Sequence, residues 1–251
     1  MGNMASHQVL HIGGVSVSNI TAKDLAEGLL KQVNEQVGKV SLFFANTNFV
    51  VKCHHMFDQD DEAGNSVIVV NDGLGMDLAA RIFHGKTFRE NLNGTDFIPY
   101  LFRSSPQPLR VFMIGSSSDV VRRAADHVHG VLGQHVVGVC NGYEDIHNEA
   151  ALIDTINLAR PDIILVAMGN PVQEAWILKH RDKIFPCLTI GVGALFDFWS
   201  DAKPRAPDFV REVRMEWFFR LCLEPRRLAR RYTVDILYFL HLCRRHRHRR
   251  T

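Results

Sequence analysis

The 251-residue chain is 46% hydrophobic and 22% charged, with a formal net charge of +2. Those proportions suit one globular body with a modest appendage and exclude a disordered, fibrous or polytopic chain. The near-neutral total hides an asymmetry: residues 205–251 carry thirteen arginines against five acids, a net of +8, whereas residues 1–204 carry a net of −6.

A basic tail of that kind suits nucleic acid, anionic lipid or a phosphorylated substrate, and its interleaved aromatic and aliphatic residues favour lipid. The five cysteines, Cys53, Cys140, Cys187, Cys222 and Cys243, are odd in number and form no C-x-x-C pair. Neither a disulfide framework nor a zinc site is indicated, and a reducing cytoplasm is the expected compartment. No apolar run reaches the roughly 18 residues that cross a bilayer, and a secretory signal pattern is absent, so any membrane contact is expected to be peripheral. Met1 to Ser6 fits the pattern for N-myristoylation, which is loose enough to recur by accident.

Along the chain, Thr21 reads as the N-cap of a first helix, with Asp24 three residues on and Leu25, Leu29, Leu30 and Val33 sharing one face. Short apolar runs at Val40 to Phe44, Ser66 to Val70, Arg110 to Ile114, His135 to Val139, Asp162 to Ala167 and Cys187 to Ile190 read as buried strands, separated by segments of helical length and period. This alternation predicts an α/β fold: a Rossmann-like, mostly parallel sheet with helices on both faces. The catalytic body is expected over residues 1–204 and a basic amphipathic helical appendage over 205–251. Pro204 to Pro207 and Glu224-Pro225 mark the breaks, giving the appendage two helices of about fifteen residues.

Ligands in such sheets sit outside the carboxyl ends of the strands. The segments to inspect are therefore Asn46 to Asn48, Asn71 to Gly75, Gly115 to Ser118, Gly138 to Tyr143, Met168 to Gln173 and Gly191 to Asp197. Asp72 follows a strongly apolar strand and precedes Gly73 and Gly75. It reads either as part of an Asn-Asp-Gly turn or as a carboxylate held where a hydroxyl nucleophile needs a base. Thr47, between Asn46 and Asn48, reads by itself as a loop cap.

Gln173 can offer a donor and an acceptor to a sugar or uracil, and Glu174 equally suits the first turn of a helix opened by Pro171. Gly115 to Ser118 can present backbone amides to a diphosphate or form an ordinary capped turn. Asp197, between two phenylalanines, suits a base or ribose pocket, or a buried structural role.

Asp58-Gln59-Asp60 matches a metal-binding D-x-D literally, but it opens an acidic run at a helix end. The histidines lack the i, i+4 pair with an acid that marks a helix-borne metal site. Metal-independent chemistry, with no cofactor, is therefore expected. Without a metal, a leaving diphosphate needs arginine, whose planar fork binds phosphate bidentately; Arg205, Arg220, Arg227, Arg230 and Arg231 are the supply. The stripe Trp217, Phe218, Leu221 and Cys222 reads as core or lipid contact. Leu228, Tyr232, Ile236, Phe239, Leu240 and Cys243, bounded by arginines, fit a helix lying in a bilayer interface.

The runs GVGA-x-FDF, RAP, EW-x-x-RL and EP-R-R-L-x-R-R-Y between Gly191 and Tyr232 resemble the C-terminal half of the WecG/TagA/CpsF glycosyltransferases. The resemblance continues through NTNFVV, NDGLGMDLA, NLNGTD and VAMGNPVQEAW, and covers roughly residues 8–240. It implies an inverting enzyme that moves a sugar from a UDP-sugar to a polyprenyl-diphosphate-linked saccharide during bacterial surface or exopolysaccharide assembly. The chain would work on the cytoplasmic face of the membrane, with an oligomer open to it.

The resemblance makes Asp72 the candidate general base, for which a raised pKa would be suitable, and Thr47 an active-site group. It also implicates Asn71, Gly73, Asn91 and Asp96. Two departures stand out. Asn91 replaces an arginine that many relatives carry three residues before the Gly-x-Asp, and Ser200-Asp201 replaces a common Ala-Gly. Loss of that cation leaves UDP-glucose open beside UDP-N-acetylmannosamine or its uronic acid. The competing readings are a Rossmann-type oxidoreductase, which would need a glycine fingerprint near Gly13-Gly14, a nucleic-acid binder using the RRHRHRR tail, and a scaffold.

Overall fold

The computed structural model describes residues 8–36, 38–57, 66–143, 146, 148–185, 188–204, 206, 207, 210 and 216–247. Eight strands form one sheet: β1 Gln8–Ile12, β2 Val15–Asn19, β3 Val40–Ala45, β4 Ser66–Asn71, β5 Arg110–Gly115, β6 His135–Cys140, β7 Ile163–Ala167 and β8 Leu188–Gly191. Their order across the sheet is β1-β2-β4-β3-β8-β7-β5-β6. Every pairing is parallel except the β1–β2 hairpin at one edge.

The six strands read from the apolar runs all form; all but the edge strand β6 are buried on both faces, which makes a parallel strand a continuous apolar run. Alternate residues feed opposite cores. Val40, Leu42 and Phe44 of β3 pack on one side, while Phe43 and Ala45 pack on the other. The first side is covered by α1 Ala22–Glu35, α4 Gly94–Ser104, α5 Ser118–Gly130 and α8 Leu195–Trp199; the second is covered by α2 Thr47–Cys53, α3 Leu74–His84, α6 Glu149–Ala159 and α7 Val172–His180. The Thr21 cap forms as expected, its hydroxyl oxygen accepting from Asp24 N at 3.1 Å.

The β1–β2 hairpin was not anticipated. Gly13 and Gly14 take φ of 61° and 94°, the paired positive values that a two-residue hairpin turn requires. The only glycine pair near the N-terminus is thus a turn at a sheet edge, and the dinucleotide fingerprint demanded by the oxidoreductase reading is not formed there.

The tail differs most from expectation. Among the described residues three helices, Glu216–Leu223, Pro225–Tyr232 and Val234–Arg245, stand where two of about fifteen residues were predicted. The break falls at Thr233, whose φ of −120° and ψ of −81° are non-helical. The last helix packs on α2 and α3, and Phe239, Leu242 and Cys243 join the same core as Phe43 and Phe49. A Cβ on Gly13 would lie 2.5 Å from Val50 Cγ1 and 3.5 Å from Leu242 Cβ, and one on Gly14 would lie 2.7 Å from the His246 ring. The hairpin turn therefore closes on the tail where side chains would not fit. Leu228 is also buried. The expected boundary at residue 204 therefore does not separate two cores, and Leu228, Phe239 and Cys243 are interior residues rather than lipid contacts.

Candidate functional site

Strands β3 and β4 end in register, Ala45 opposite Asn71, so Asn46 and Asp72 leave the sheet side by side. The Asp72 amide donates to Ala45 O at 2.7 Å. Asn46 caps α2 with its Oδ1, which accepts from Phe49 N at 3.1 Å. Its Nδ2 donates to Asp72 Oδ2 at 3.2 Å. One asparagine thus fixes a helix start and orients the half-buried carboxylate.

Behind Asp72 the turn is pinned as well. Gly73 adopts φ of 92°, open to glycine, and its amide donates to Asn91 Oδ1; Leu92 N donates to Asn71 O at 3.0 Å. Asn91 therefore braces the turn, a role a long arginine side chain would not reproduce in the same geometry. A Cβ on Gly75 would come within 2.4 Å of Thr47 Cγ2, so glycine lets the first turns of α2 and α3 meet and brings Thr47 against the Asp72 turn. Asn71 is buried, its Nδ2 3.5 Å from Asp77 Oδ1.

The tail enters the same place. Arg231, near the end of the Pro225–Tyr232 helix, donates from Nη2 to Asn46 Oδ1 at 3.3 Å. The Asn46 amide group is therefore shared between the carboxylate and a guanidinium. Arg230 points outward, 83% exposed, with Nε 4.0 Å from Asp235. Arg220 and Arg227 lie on the tail helices but their side chains are outside the described residues, as is Arg205 altogether. Asp58-Gln59-Asp60 also falls outside them. Among the described residues no group of three or more His, Cys, Asp or Glu is gathered for a metal ion.

A second cluster lies under the ends of β7 and β8. Gln173 is buried, and its Oε1 accepts from Gly169 N at 3.2 Å and Gly193 N at 3.0 Å. Its Nε2 donates to Glu174 Oε1 at 2.7 Å. Gly191 leaves room for this side chain, since a Cβ there would stand 3.0 Å from Gln173 Nε2. Glu174 is fully buried and also accepts from Asn170 Nδ2 at 2.7 Å and from the Cys53 thiol, S to Oε2 at 3.7 Å. Asn170 Oδ1 in turn accepts from Asn48 Nδ2 at 3.3 Å.

Burial pushes the Glu174 carboxyl above its ordinary range against the pull of these donors, and burial with the adjacent carboxylate pushes the Cys53 thiol up. Gln173 reads from the sequence as a ligand contact and Glu174 as a ligand contact or a first-turn acid; in the structure their polar atoms join the β7 and β8 loops and α2 to one another, and Asn48 completes that clasp. Asn170 and Cys53 were not singled out: Asn170 stood in a recognised run, and Cys53 gave no sequence signal.

The remaining candidates spread along the same sheet edge. Gly115 lies where β5 and β7 converge, and a Cβ there would meet Ala167 O at 2.3 Å; Ser117 and Ser118 open α5, and Ser118 Oγ accepts from Asn141 Nδ2 at 3.1 Å. Asp197, in α8, is paired with Lys203 at 3.0 Å, and Lys203 lies 3.7 Å from Glu224 at the start of the Arg231-bearing helix. Asp96 is exposed in the first turn of α4, where its amide and carboxylate both bond the Asn93 side chain, at 3.0 and 2.9 Å.

This arrangement offers a carboxylate, amides and an arginine at neighbouring strand ends. The chain is 30% identical to an N-acetylglucosaminyldiphosphoundecaprenol N-acetyl-beta-D-mannosaminyltransferase of Bacillus spizizenii over 66% of this chain and 64% of that protein. It is 27% identical to the Bacillus subtilis protein of the same name, over 70% and 69% of the two chains. A third relative of that name, from Staphylococcus aureus, is 30% identical over 52% of this chain and 51% of its own. Matched stretches thus span about half to two thirds of the relatives' lengths. The model of the Glycosyl transferase WecG/TagA/CpsF family matches residues 10–251, and the chain belongs to that family.

Proposed function

We propose that the chain is an inverting glycosyltransferase that moves a sugar from a UDP-sugar to a saccharide carried on a polyprenyl diphosphate. The observation that carries this reading is the Asn46 amide joined at once to Asp72 and Arg231. In this reading the Asn46 amide positions a base for the acceptor and a cation for the leaving group about one bound donor.

In this reading Asp72 takes the proton from the acceptor hydroxyl as its oxygen attacks the anomeric carbon. The bond from that carbon to the diphosphate oxygen breaks with its electron pair passing to UDP, and the configuration inverts. Arg231 and the neighbouring arginines of residues 205–231 receive the negative charge that develops on the diphosphate, which makes a metal ion unnecessary. Thr47 and Asn46 bind sugar hydroxyls beside Asp72, and the Gln173–Glu174 clasp keeps the β7 and β8 loops in place around the donor. The amides of Gly115 to Ser118 are the candidate diphosphate cradle.

The relatives' names support N-acetylmannosamine as the transferred sugar and N-acetylglucosaminyl-diphosphoundecaprenol as the acceptor. Glucose is the second reading, favoured by Asn91 where many relatives carry arginine. Among the described residues no helix is long and apolar enough to cross a membrane. An enzyme with a lipid-borne acceptor would therefore meet the cytoplasmic leaflet from the side, through the arginine-rich tail, each basic group contributing on the order of 1 kcal/mol at an anionic surface.

The test is UDP release by full-length protein from a panel of UDP-sugars, with and without a polyprenyl-diphosphate-linked N-acetylglucosamine acceptor. Acceptor-dependent release from one donor supports the reading; release independent of acceptor, or none from any donor, overturns it.

A further inference from the structure

Helix α3 is apolar on two sides. Met76, Ala79 and Ala80 face the core, while Leu74, Leu78 and Ile82 are 36%, 47% and 61% exposed. Those three stand at i, i+4 and i+8, which is one continuous row on a helix. A helix on a water-facing surface normally pairs its buried stripe with a polar one, whereas the outer side of α3 is shared between this apolar row and Asp77, Arg81 and His84. The row begins two residues after Asp72.

The Val234–Arg245 helix, packed against α3, repeats the pattern. Phe239, Leu242 and Cys243 are buried, whereas Val234, Leu237 and Tyr238 are exposed. Scattered exposed apolar residues need no explanation, but two contiguous rows on touching helices do.

Charge identifies the occupant. Arg81 and Lys86 are exposed at the far end of the α3 row, and Arg244, Arg245 and Arg247 are exposed at the end of the second helix. The two acids on these helices are less exposed, Asp77 lying against Asn71 and Asp235 near Arg230. Apolar rows edged with cations fit an anionic lipid surface.

We infer that α3 is a lipid-contacting helix: its Leu74, Leu78 and Ile82 row, continued by Val234, Leu237 and Tyr238, rests on an anionic bilayer and fixes the height of Asp72 above it. The inference extends the reading of a lipid-borne acceptor, since the base would then sit at the lipid boundary where a diphosphate-linked sugar emerges.

The experiment measures co-sedimentation of the full chain with phosphatidylglycerol–phosphatidylcholine vesicles for wild type, L78S/I82S and L237S/Y238S. Solution mass and thermal melting are recorded alongside, as is transfer to the same acceptor on a short, water-soluble alkyl diphosphate. L78S/I82S is expected to bind vesicles about tenfold more weakly, with wild-type melting and mass, and to keep transfer to the water-soluble acceptor while losing it to the polyprenyl acceptor in vesicles. Unchanged vesicle binding in L78S/I82S overturns the inference. So does a wild-type oligomer that these changes dissociate without affecting vesicle binding, which would make the row an interface between copies. Vesicle binding is read without turnover, so an enzyme inactive with every donor would refute the proposed reaction and leave this result standing by itself.

Discussion

Replacing Phe239 with alanine tests whether the C-terminal helix is part of the body or a tether attached to it. Phe239 is 2% exposed and packs with Leu242 and Cys243 in the core that holds Phe43 and Phe49. Truncating a buried phenylalanine costs about 3–5 kcal/mol, from lost transfer energy and the cavity left behind. For a domain of this size each kcal/mol moves the melting midpoint by about 2–4 °C, so a fall of roughly 6–20 °C is expected if the helix and body unfold together.

Undocking also withdraws the preceding helix, and with it the Arg231 contact to Asn46. A hydrogen bond to a charged group is worth about 1.5–3 kcal/mol, so acceptor-dependent transfer should fall about ten- to a hundredfold. Calorimetry and a UDP-release assay on F239A, with F239L as the milder cavity, give both readouts. A midpoint within about 2 °C of wild type together with undiminished transfer would refute the docking argument.

Arg231→Gln should lower transfer by roughly ten- to a hundredfold, chiefly in kcat, while R231K recovers only part because a point charge does not replace the planar fork; equal losses in both variants would count against phosphate contact. Glu174→Gln should change the pH dependence of stability. A carboxyl whose folded pKa is raised binds more protons folded than unfolded, so wild-type stability should fall as pH rises from about 4.5 through the raised value, and E174Q should lack that slope. Urea midpoints across that range check it, and parallel curves for the two proteins would refute it. Transfer should also survive EDTA at full rate, whereas loss restored by magnesium or manganese would contradict the arginine-only account of the leaving group.

The sequence made the parallel sheet legible because β3, β4, β5, β7 and β8 are buried on both faces and read as plain apolar runs. Strands β1 and β2 were hidden by their alternating pattern, and by a Gly13-Gly14 pair that invites a search for a nucleotide loop. Asp72 and Asn46 were visible as strand-end residues. Their shared link to Arg231 was not, because it joins positions 185 residues apart.

The apolar stripe of the last helix was equally visible, but its partner was not. What covers Phe239 and Cys243 is α2 and the hairpin turn, packed through Val50 and Gly13, and helical periodicity alone cannot tell protein from lipid as the covering medium. Gln173 shows the same limit. Its amide can serve a ligand or the backbone with equal chemistry, and the approach of Gly169 and Gly193 to its oxygen is set by loops distant in sequence.

The central claim is that Asp72 is the base that activates the acceptor hydroxyl. Asp72→Asn preserves the side-chain shape and a partner for Asn46 while removing the proton acceptor. With the donor identified by the UDP-release panel, the account predicts that D72N loses about 10²–10⁴-fold in acceptor-dependent transfer, with UDP-sugar affinity and melting temperature unchanged. Transfer within about tenfold of wild type, below that range for a lost catalytic base, would contradict it and return Asp72 to the status of a turn residue.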